Sequence, residues 1–488
     1  MLSTRKPTSI ANVSVFGPVK NSSSIFHITD SEGSESFFTA INNSSIVNYD
    51  PLQGLSFQNI QDRPCFIFGG DVTDRGNNDL AITKLLVEFK KRYPENVFLL
   101  AGNREIIKGR FKIELAPHMI RKRLLDSQSP RWLAQPTVPL DYVKKEMSEN
   151  KYYKSVEDYV NSLSIEQCQI IYLRWMLEKT MGCPHSFRYR REELAKSNPG
   201  KDVSDEEVLQ SFLQQTTPDG VTGQYLQLAQ VGVIVPGTGV LAVHGGLQPT
   251  NLGRIPGMDP GEKRIEDARL WIKELNNWFS KQIKYWIDFK PVELTIPACT
   301  ELDDCILQPP SKPKSVITEW MLNNQRQFIE PPQEVSQYLR DNRIHVVLTG
   351  HQPCGDHPAI LRTAYNALFI NGDTGYAAFA QSNPDDTRGV TSHTLEIVAS
   401  SDQANIRIEA VLPDKTFVTT KLTVTPEKIG SDAYVGRVSA DNQLVQCRLT
   451  NGDYRLIQQK GFQVDYLTLS PADVEKLFTS SLALKVAN

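Results

Sequence analysis

In the stretch CFIFGGDVTDRG, residues 65–76, a short apolar run leads into two glycines and then into Asp71, Asp74 and Arg75. Phe66-Ile67-Phe68 is long enough for a buried strand. Gly69-Gly70 lets the backbone turn tightly and approach a ligand. Two carboxylates on such a turn cost free energy unless positive charge stands beside them. Alone, the motif reads equally well as a capped turn holding an Asp–Arg pair. The same design recurs, however: apolar strands are expected to end at Asp30, Asn103, His244 and His351. In open α/β sheets ligands bind outside the carboxyl ends of strands, so five such endings would gather oxygen and nitrogen donors around one point. Oxygen ligands with two imidazoles suit Mn²⁺, Fe²⁺ or Zn²⁺ better than a lone Ca²⁺. One carboxylate shared by two cations can hold them about 3.5–4 Å apart, the spacing of two-metal hydrolysis; Asp71, on the most glycine-rich turn, is the expected bridge.

The elements that must place these residues follow a strand–helix–strand pattern, which predicts an α/β fold. Strands are expected at 24–29, 66–68, 96–101, 231–243, 345–349 and 367–371, the last ending near Asp373. A helix is expected over 78–93 with Pro94 as its stop, and residues 42–63 read as loop. Residues 111–230 are helical and charged and form an insertion that could border the site. Ser164 with Gln167 makes a capping box, and Ser204 with Glu207 opens another helix. Arg188, Arg190 and Arg191 read as a solvated face. A long helix over 262–287 carries Trp271, Trp278 and Trp286 as core or docking surface, and 308–315 is a Pro/Lys loop. From 391 the texture is β, with a hairpin turn at Asn451-Gly452 and a last helix opened by Ser470-Pro471. The expected division is an N-terminal arm (1–23), a catalytic domain (24–425) and a small β-rich module (426–488).

Of 488 residues 40% are apolar and 22% charged, and the net charge is −3. This is ordinary for a soluble globular protein and gives no pull toward nucleic acid or an anionic membrane. No apolar run reaches the ~18 residues of a membrane helix, and the N-terminus lacks the apolar core of a signal peptide. Seven scattered cysteines without a CxxC read as free thiols of a reducing, cytoplasmic compartment; Cys299 and Cys305 alone make no zinc site. Delivery into a host cell is compatible with these features. Oligomeric state is not legible.

The ordered blocks Gly70-Asp71-Val72-Thr73-Asp74-Arg75-Gly76, Gly102-Asn103-Arg104-Glu105, His244-Gly245-Gly246 and Gly350-His351 resemble the calcineurin-like metallophosphoesterases, and within them the phosphoprotein phosphatases. Asp373-Thr374-Gly375 resembles the turn that follows. The resemblance spans about 24–425 without the insertion. It implies a double β-sheet sandwich flanked by helices, and a phosphatase acting on phosphorylated proteins or peptides. It further implies two divalent metal ions, Mn²⁺ first, with Fe²⁺, Zn²⁺ or Mg²⁺ as alternatives. Asp30 and Asp71 would hold one ion, and Asp71, Asn103, His244 and His351 the other. A hydroxide bridging the metals would attack phosphorus directly, and Arg75 would clamp the phosphate with Asn103 and Arg104 beside it.

Two positions depart from the family pattern. Glu32 stands where the family has histidine, and could ligate in its place, favouring harder ions. Arg104 stands where a histidine, paired to the aspartate equivalent to Asp74, would protonate the leaving group. A guanidinium cannot donate that proton; it pairs with Asp74 or adds a second cation to the phosphate. Substrates with acidic leaving groups, such as phosphotyrosine, are then expected to be favoured. His357 is a spare acid or ligand, more simply a surface histidine. The second phosphate-binding arginine is expected between His244 and His351, with Arg254, Arg264 and Arg269 as candidates. A small-molecule phosphohydrolase, for instance of dinucleoside polyphosphates, and a non-catalytic scaffold are the alternatives.

Overall fold

The structure, a computed structural model, describes residues 22–130, 133, 135–148, 152–259, 261–288, 301–307, 314–375, 385–389 and 391–486, with side chains up to 479. Nearly all of the expected N-terminal arm, Cys299 and most of the Pro/Lys loop lie outside the described residues.

Along the chain come β1 (Ser23–Ile28), β2 (Val47–Asp50), β3 (Gly54–Phe57), β4 (Pro64–Phe68) and β5 (Val97–Leu99). Beyond the helical region lie β6 (Gly232–Ile234), β7 (Val240–Val243), β8 (Val346–Thr349), β9 (Ala359–Arg362) and β10 (Leu368–Asn371). The rest are β11 (His393–Ala399), β12 (Ala404–Val411), β13 (Phe417–Val424), β14 (Ile429–Gly430), β15 (Gln443–Arg448), β16 (Tyr454–Lys460) and β17 (Gln463–Leu469). A seven-stranded sheet has the order β14-β13-β12-β11-β1-β4-β5, and a five-stranded sheet the order β6-β7-β8-β10-β9. β15, β16 and β17 form a third sheet. The hairpin β2–β3 falls in the stretch expected to be loop; strands this short, of mixed polarity, carry too little periodicity to be read.

Alternation along the strands explains the layering. In β1 and β4, Ile25, Cys65 and Ile67 face the second sheet, where Val240, Ala242, Val346, Leu348 and Ile370 meet them. Phe26, Phe66 and Phe68 point outward and are covered by Leu86 and Phe89 of the helix Asp79–Arg92. Each large side chain so buried contributes roughly 1.5–3 kcal/mol. Within this sandwich β1, β4 and β5 are mutually parallel, and so are β7, β8 and β10. Their carboxyl ends therefore open on one edge.

The helical insertion is pinned to that edge. The expected capping boxes form at Ser164 and Ser204. Arg190 is not on a solvated face: it is buried, with Nη2 3.5 Å from Asp79, Nε 3.6 Å from Glu193, and bonds to Ser211 and Gln215. Asp79 in turn accepts from the Asp74 amide. The helix Ile165–Trp175 runs on into a π-turn, Met176–Thr180, of the kind that often marks functional sites. Just beyond it, the Met181 carbonyl accepts from Arg104, and the Ser186 hydroxyl donates to the Asp74 carbonyl.

The C-terminal sheet shares the inter-sheet core through Val445 and Leu456, as do Val435 before it and Val474 and Phe478 on the helix Pro471–Val486 after it. Arg455 of β16 makes a bidentate pair with Asp356, on the loop that follows His351. The six described cysteines are buried and free of disulfides.

Candidate active site

Two sets of three parallel strands deliver six side chains: β1 leads to Asp30, β4 to Asp71 and β5 to Asn103 in one sheet, and β7 to His244, β8 to His351 and β10 to Asp373 in the other. Two backbone amides order these ends, the first within the second sheet and the other between the two sheets. The Gly350 amide donates to the His244 carbonyl (2.7 Å), and the His351 amide donates to both oxygens of Asp30 (2.9 and 3.0 Å). Close approach demands glycine at two places. A Cβ on Gly70 would fall 2.7 Å from the Gly102 amide, and one on Gly350 would fall 2.1 Å from Asp30. The side-chain-bearing residues are also held in the left-handed region, with φ of 51° at Asp30, 44° at Glu32, 56° at Asp71, 113° at Asp74 and 74° at His351. Such conformations persist only where the surroundings over-determine them.

Glu105 supplies part of that restraint. Its carboxylate accepts from the amides of Asp71 (3.1 Å), Val72 (2.6 Å) and Gly102 (3.0 Å), clamping the ends of β4 and β5 together. Burial, with Asp71 nearby, raises its carboxyl to about 7.

Asp71, His244 and His351 each offer a donor atom, and these atoms lie within 4.8 Å of one another. His244 Nδ1 is taken by the Gly69 carbonyl (2.7 Å), which leaves Nε2 facing Asp71 Oδ1 and Asn103 Oδ1, each at 3.3 Å. A backbone bond on one ring nitrogen fixes the other as a ligand atom. His351 Nδ1 is buried without a hydrogen-bond partner, and burial beside His244 depresses this imidazole to about 3. Burial and the neighbouring Asp373 and Asp71 raise the Asp30 carboxyl well above the usual range. Burial and Glu32 raise Asp373 to about 7. Crowded, desolvated carboxylates next to an orphaned imidazole nitrogen are what a cation would relieve. The donor set therefore fits divalent metal.

Positive charge lies on the other flank. Glu32 has its oxygens 3.4 Å from Arg75 Nε and 3.5 Å from Arg104 Nε. Arg104 also reaches Asp71 (3.8 Å) and Asp74 (3.6 Å), and these carboxylates outweigh burial to hold its guanidinium firmly protonated. Asp74 takes a second cation, the fully buried Lys108, at 2.6 Å. Sequence reasoning passed over Lys108, although its i,i+4 spacing from Arg104 put it on the same face.

The three arginines expected to offer a second phosphate contact have other partners. Arg264 pairs with Glu266 and Glu334, Arg269 donates to the Asn342 carbonyl, and Arg254 donates to the Asp259 carbonyl. Within the same interval of sequence, Arg326 donates to Gln352, the neighbour of His351, as does Arg388 from beyond it. His357 is not a surface residue: it is buried, bonded to the Pro358 carbonyl and close to Thr420.

A sandwich whose parallel strand ends gather carboxylates, imidazoles and an amide beside two guanidiniums has the build of a metal-dependent phosphoester hydrolase. Residues 25–167 match the family described as calcineurin-like phosphoesterase. Among solved structures it is similar to a cold-active protein-tyrosine phosphatase of a psychrophilic Shewanella species. The identity there is 12% and the TM-score 0.37, covering 81% of this chain and 80% of that one. It is also similar to a protein serine/threonine phosphatase from Saccharomyces cerevisiae, at 12% identity and a TM-score of 0.31, covering 84% and 82%. Nothing about substrate follows from likeness at this level. Among the described residues no helix is long and apolar enough to cross a membrane.

Proposed function

We propose that this phosphoesterase is a dimetal phosphatase that hydrolyses phosphomonoesters of phosphoproteins and favours aryl esters such as phosphotyrosine. The observation that carries the reading is the convergence of Asp71, His244 and His351 donors within 4.8 Å, beside two guanidiniums. Asp30, Glu32 and Asp71 would hold one divalent ion, and Asp71, Asn103, His244 and His351 the other, with Mn²⁺ suited to this mixed set. Bound there, the ions would supply Lewis-acid charge and a water acidic enough to act as nucleophile at neutral pH.

The chain's own residues do the rest. Arg75 and Arg104 present charge-assisted donors to phosphate oxygens. Both now face Glu32, so a phosphate would compete for them and release Glu32 toward its metal. Leaving-group chemistry sets the substrate class. Arg104 stays protonated, and Lys108 is sealed against Asp74 without solvent access, so neither delivers a proton to a departing alkoxide. A phenolate, with a conjugate-acid pKa near ~10, needs little such help.

The test is Mn²⁺-dependent hydrolysis of an aryl phosphate, with elemental analysis for bound metal. Asp71→Asn is expected to lower turnover by a hundredfold or more, on the order of other lost transition-state contacts. Phosphotyrosine peptides are expected to exceed phosphoserine peptides in kcat/KM by about tenfold or more, and Arg104→His to narrow that gap. Equal use of both peptides by the wild type would refute the leaving-group argument. A protein with neither metal nor turnover would be a scaffold.

A further inference from the structure

Beside His351 two arginines converge on one side-chain oxygen. Arg326 and Arg388 each donate an Nη1–H to Gln352 Oε1, both at 3.3 Å. Like charges at this separation repel, and Arg388 holds Asp386 bidentate at 2.9 and 2.7 Å. Arg326 has no carboxylate within ion-pair distance among the described residues, and burial together with Arg388 lowers the proton affinity of its guanidinium. Arg326 also sits at φ 57° on the tip of a tight turn bridged by Leu322 and Phe328. Something must hold two cations here.

That element comes from far along the chain. β16 and β17 pair Lys460 with Gln463, leaving Gly461-Phe462 as a two-residue tip. The Phe462 ring lies 4.1 Å from the Arg326 guanidinium and 4.7 Å from that of Arg388, inside cation–π range. Trp320 lies 4.5 Å from Arg326 as well. The tip is anchored rather than merely adjacent. The Thr387 amide donates to the Phe462 carbonyl (3.0 Å), the Val464 amide donates to the Thr387 hydroxyl (2.8 Å), and the Gly461 amide donates to the Gln325 carbonyl (3.4 Å). Phe462 is 39% exposed, so its ring is held mainly by these contacts.

We infer that Phe462 is a positioning residue: the hairpin tip of the C-terminal sheet clasps Arg326 and Arg388 side by side, so that this sheet completes the phosphate-binding edge of the site. The inference rests on the phosphatase reading above for its ligand. An incoming phosphate would take the place of Gln352 Oε1 as shared acceptor and bring negative charge to Arg326. Metal binding, which lies with the strand-end residues, does not depend on the clasp.

The test uses the full Mn²⁺-loaded chain and inorganic phosphate as probe, measured by calorimetry, with aryl-phosphate kinetics alongside. Phe462→Ala is expected to weaken phosphate binding about fivefold to tenfold, the range of a cation–π contact. KM should rise in step, with little change in kcat or metal content. Phe462→Trp should restore both. Phosphate affinity unchanged in Phe462→Ala overturns the inference. So does a loss that Phe462→Trp fails to restore and that tracks a fall in melting temperature, since that assigns the ring to folding. If the wild type binds phosphate, Phe462→Ala weakens it and neither turns over an aryl phosphate, the clasp stands and the phosphatase reading falls. If turnover is normal and Phe462→Ala is silent, the reverse holds.

Discussion

The donors at the strand ends were readable because each follows an apolar run, and five such runs ending in Asp, Asn or His point together to a shared ligand. Residues held by tertiary contact alone were not. Arg326 lies in the polar stretch Asn323-Asn324-Gln325-Arg326-Gln327, where no period singles it out, and Asp373 was seen as a turn but not as a partner of Asp30. His357 shows the same blindness from the other side: polar neighbours suggested surface, yet the C-terminal sheet covers it. That burial has a measurable consequence. Removal from water, with Arg455 nearby, lowers the His357 imidazole to about 4, against an unfolded value near ~6.5. Between those values the unfolded chain binds a proton that the folded chain refuses, so stability is complete above about pH 6.5 and falls as pH drops toward 4. The span corresponds to roughly 3 kcal/mol for this residue. Urea denaturation of the wild type and His357→Gln between these limits should show a shallower pH slope in the variant; parallel slopes would count against the assignment. His27 and His393, both buried with lowered imidazoles, should leave a residual slope in each.

At the scale of elements, the insertion was legible as helices and its caps as capping boxes, because both are local. How it docks was not, because the link is a buried ion pair between Arg190 and Asp79, more than a hundred residues apart. Reading Arg190 as solvated was reasonable from its cluster of cations and wrong because tertiary structure turned one of three inward. The pair holds the helix Asp79–Arg92, and with it the Asp74 turn, against the insertion. Arg190→Met should therefore lower stability by about 3 kcal/mol, since it strands Asp79 and Glu193 in the interior. Adding Asp79→Asn, which removes one of the stranded charges, should recover part of the loss in a double-mutant cycle. A single-mutant effect near zero by chemical denaturation would mean that this ion pair is not what docks the insertion.

Across the whole molecule, the two-sheet sandwich was implied by the resemblance and by alternating strands, whereas the place of the last sixty residues was not. Their strands alternate like any β segment, and nothing in that pattern states that Val445, Leu456 and Phe478 enter the core shared by both large sheets. Because that core is common, the C-terminal sheet and the sandwich should melt together. Differential scanning calorimetry of the full chain is expected to give one endotherm; an earlier, separate peak removed by deleting the C-terminal sheet would show an independent unit.

The left-handed backbone at five residues of the proposed metal and phosphate edge carries a cost for the protein as a whole. Each such residue is disfavoured by roughly 1–3 kcal/mol, a sum comparable to the net stability of an ordinary domain. On the proposed function, endurance and turnover are thus set against each other in this chain. A library sorted only for survival on heating would enrich glycine and asparagine at positions 30, 32, 71, 74 and 351, and its hardiest members would be inert.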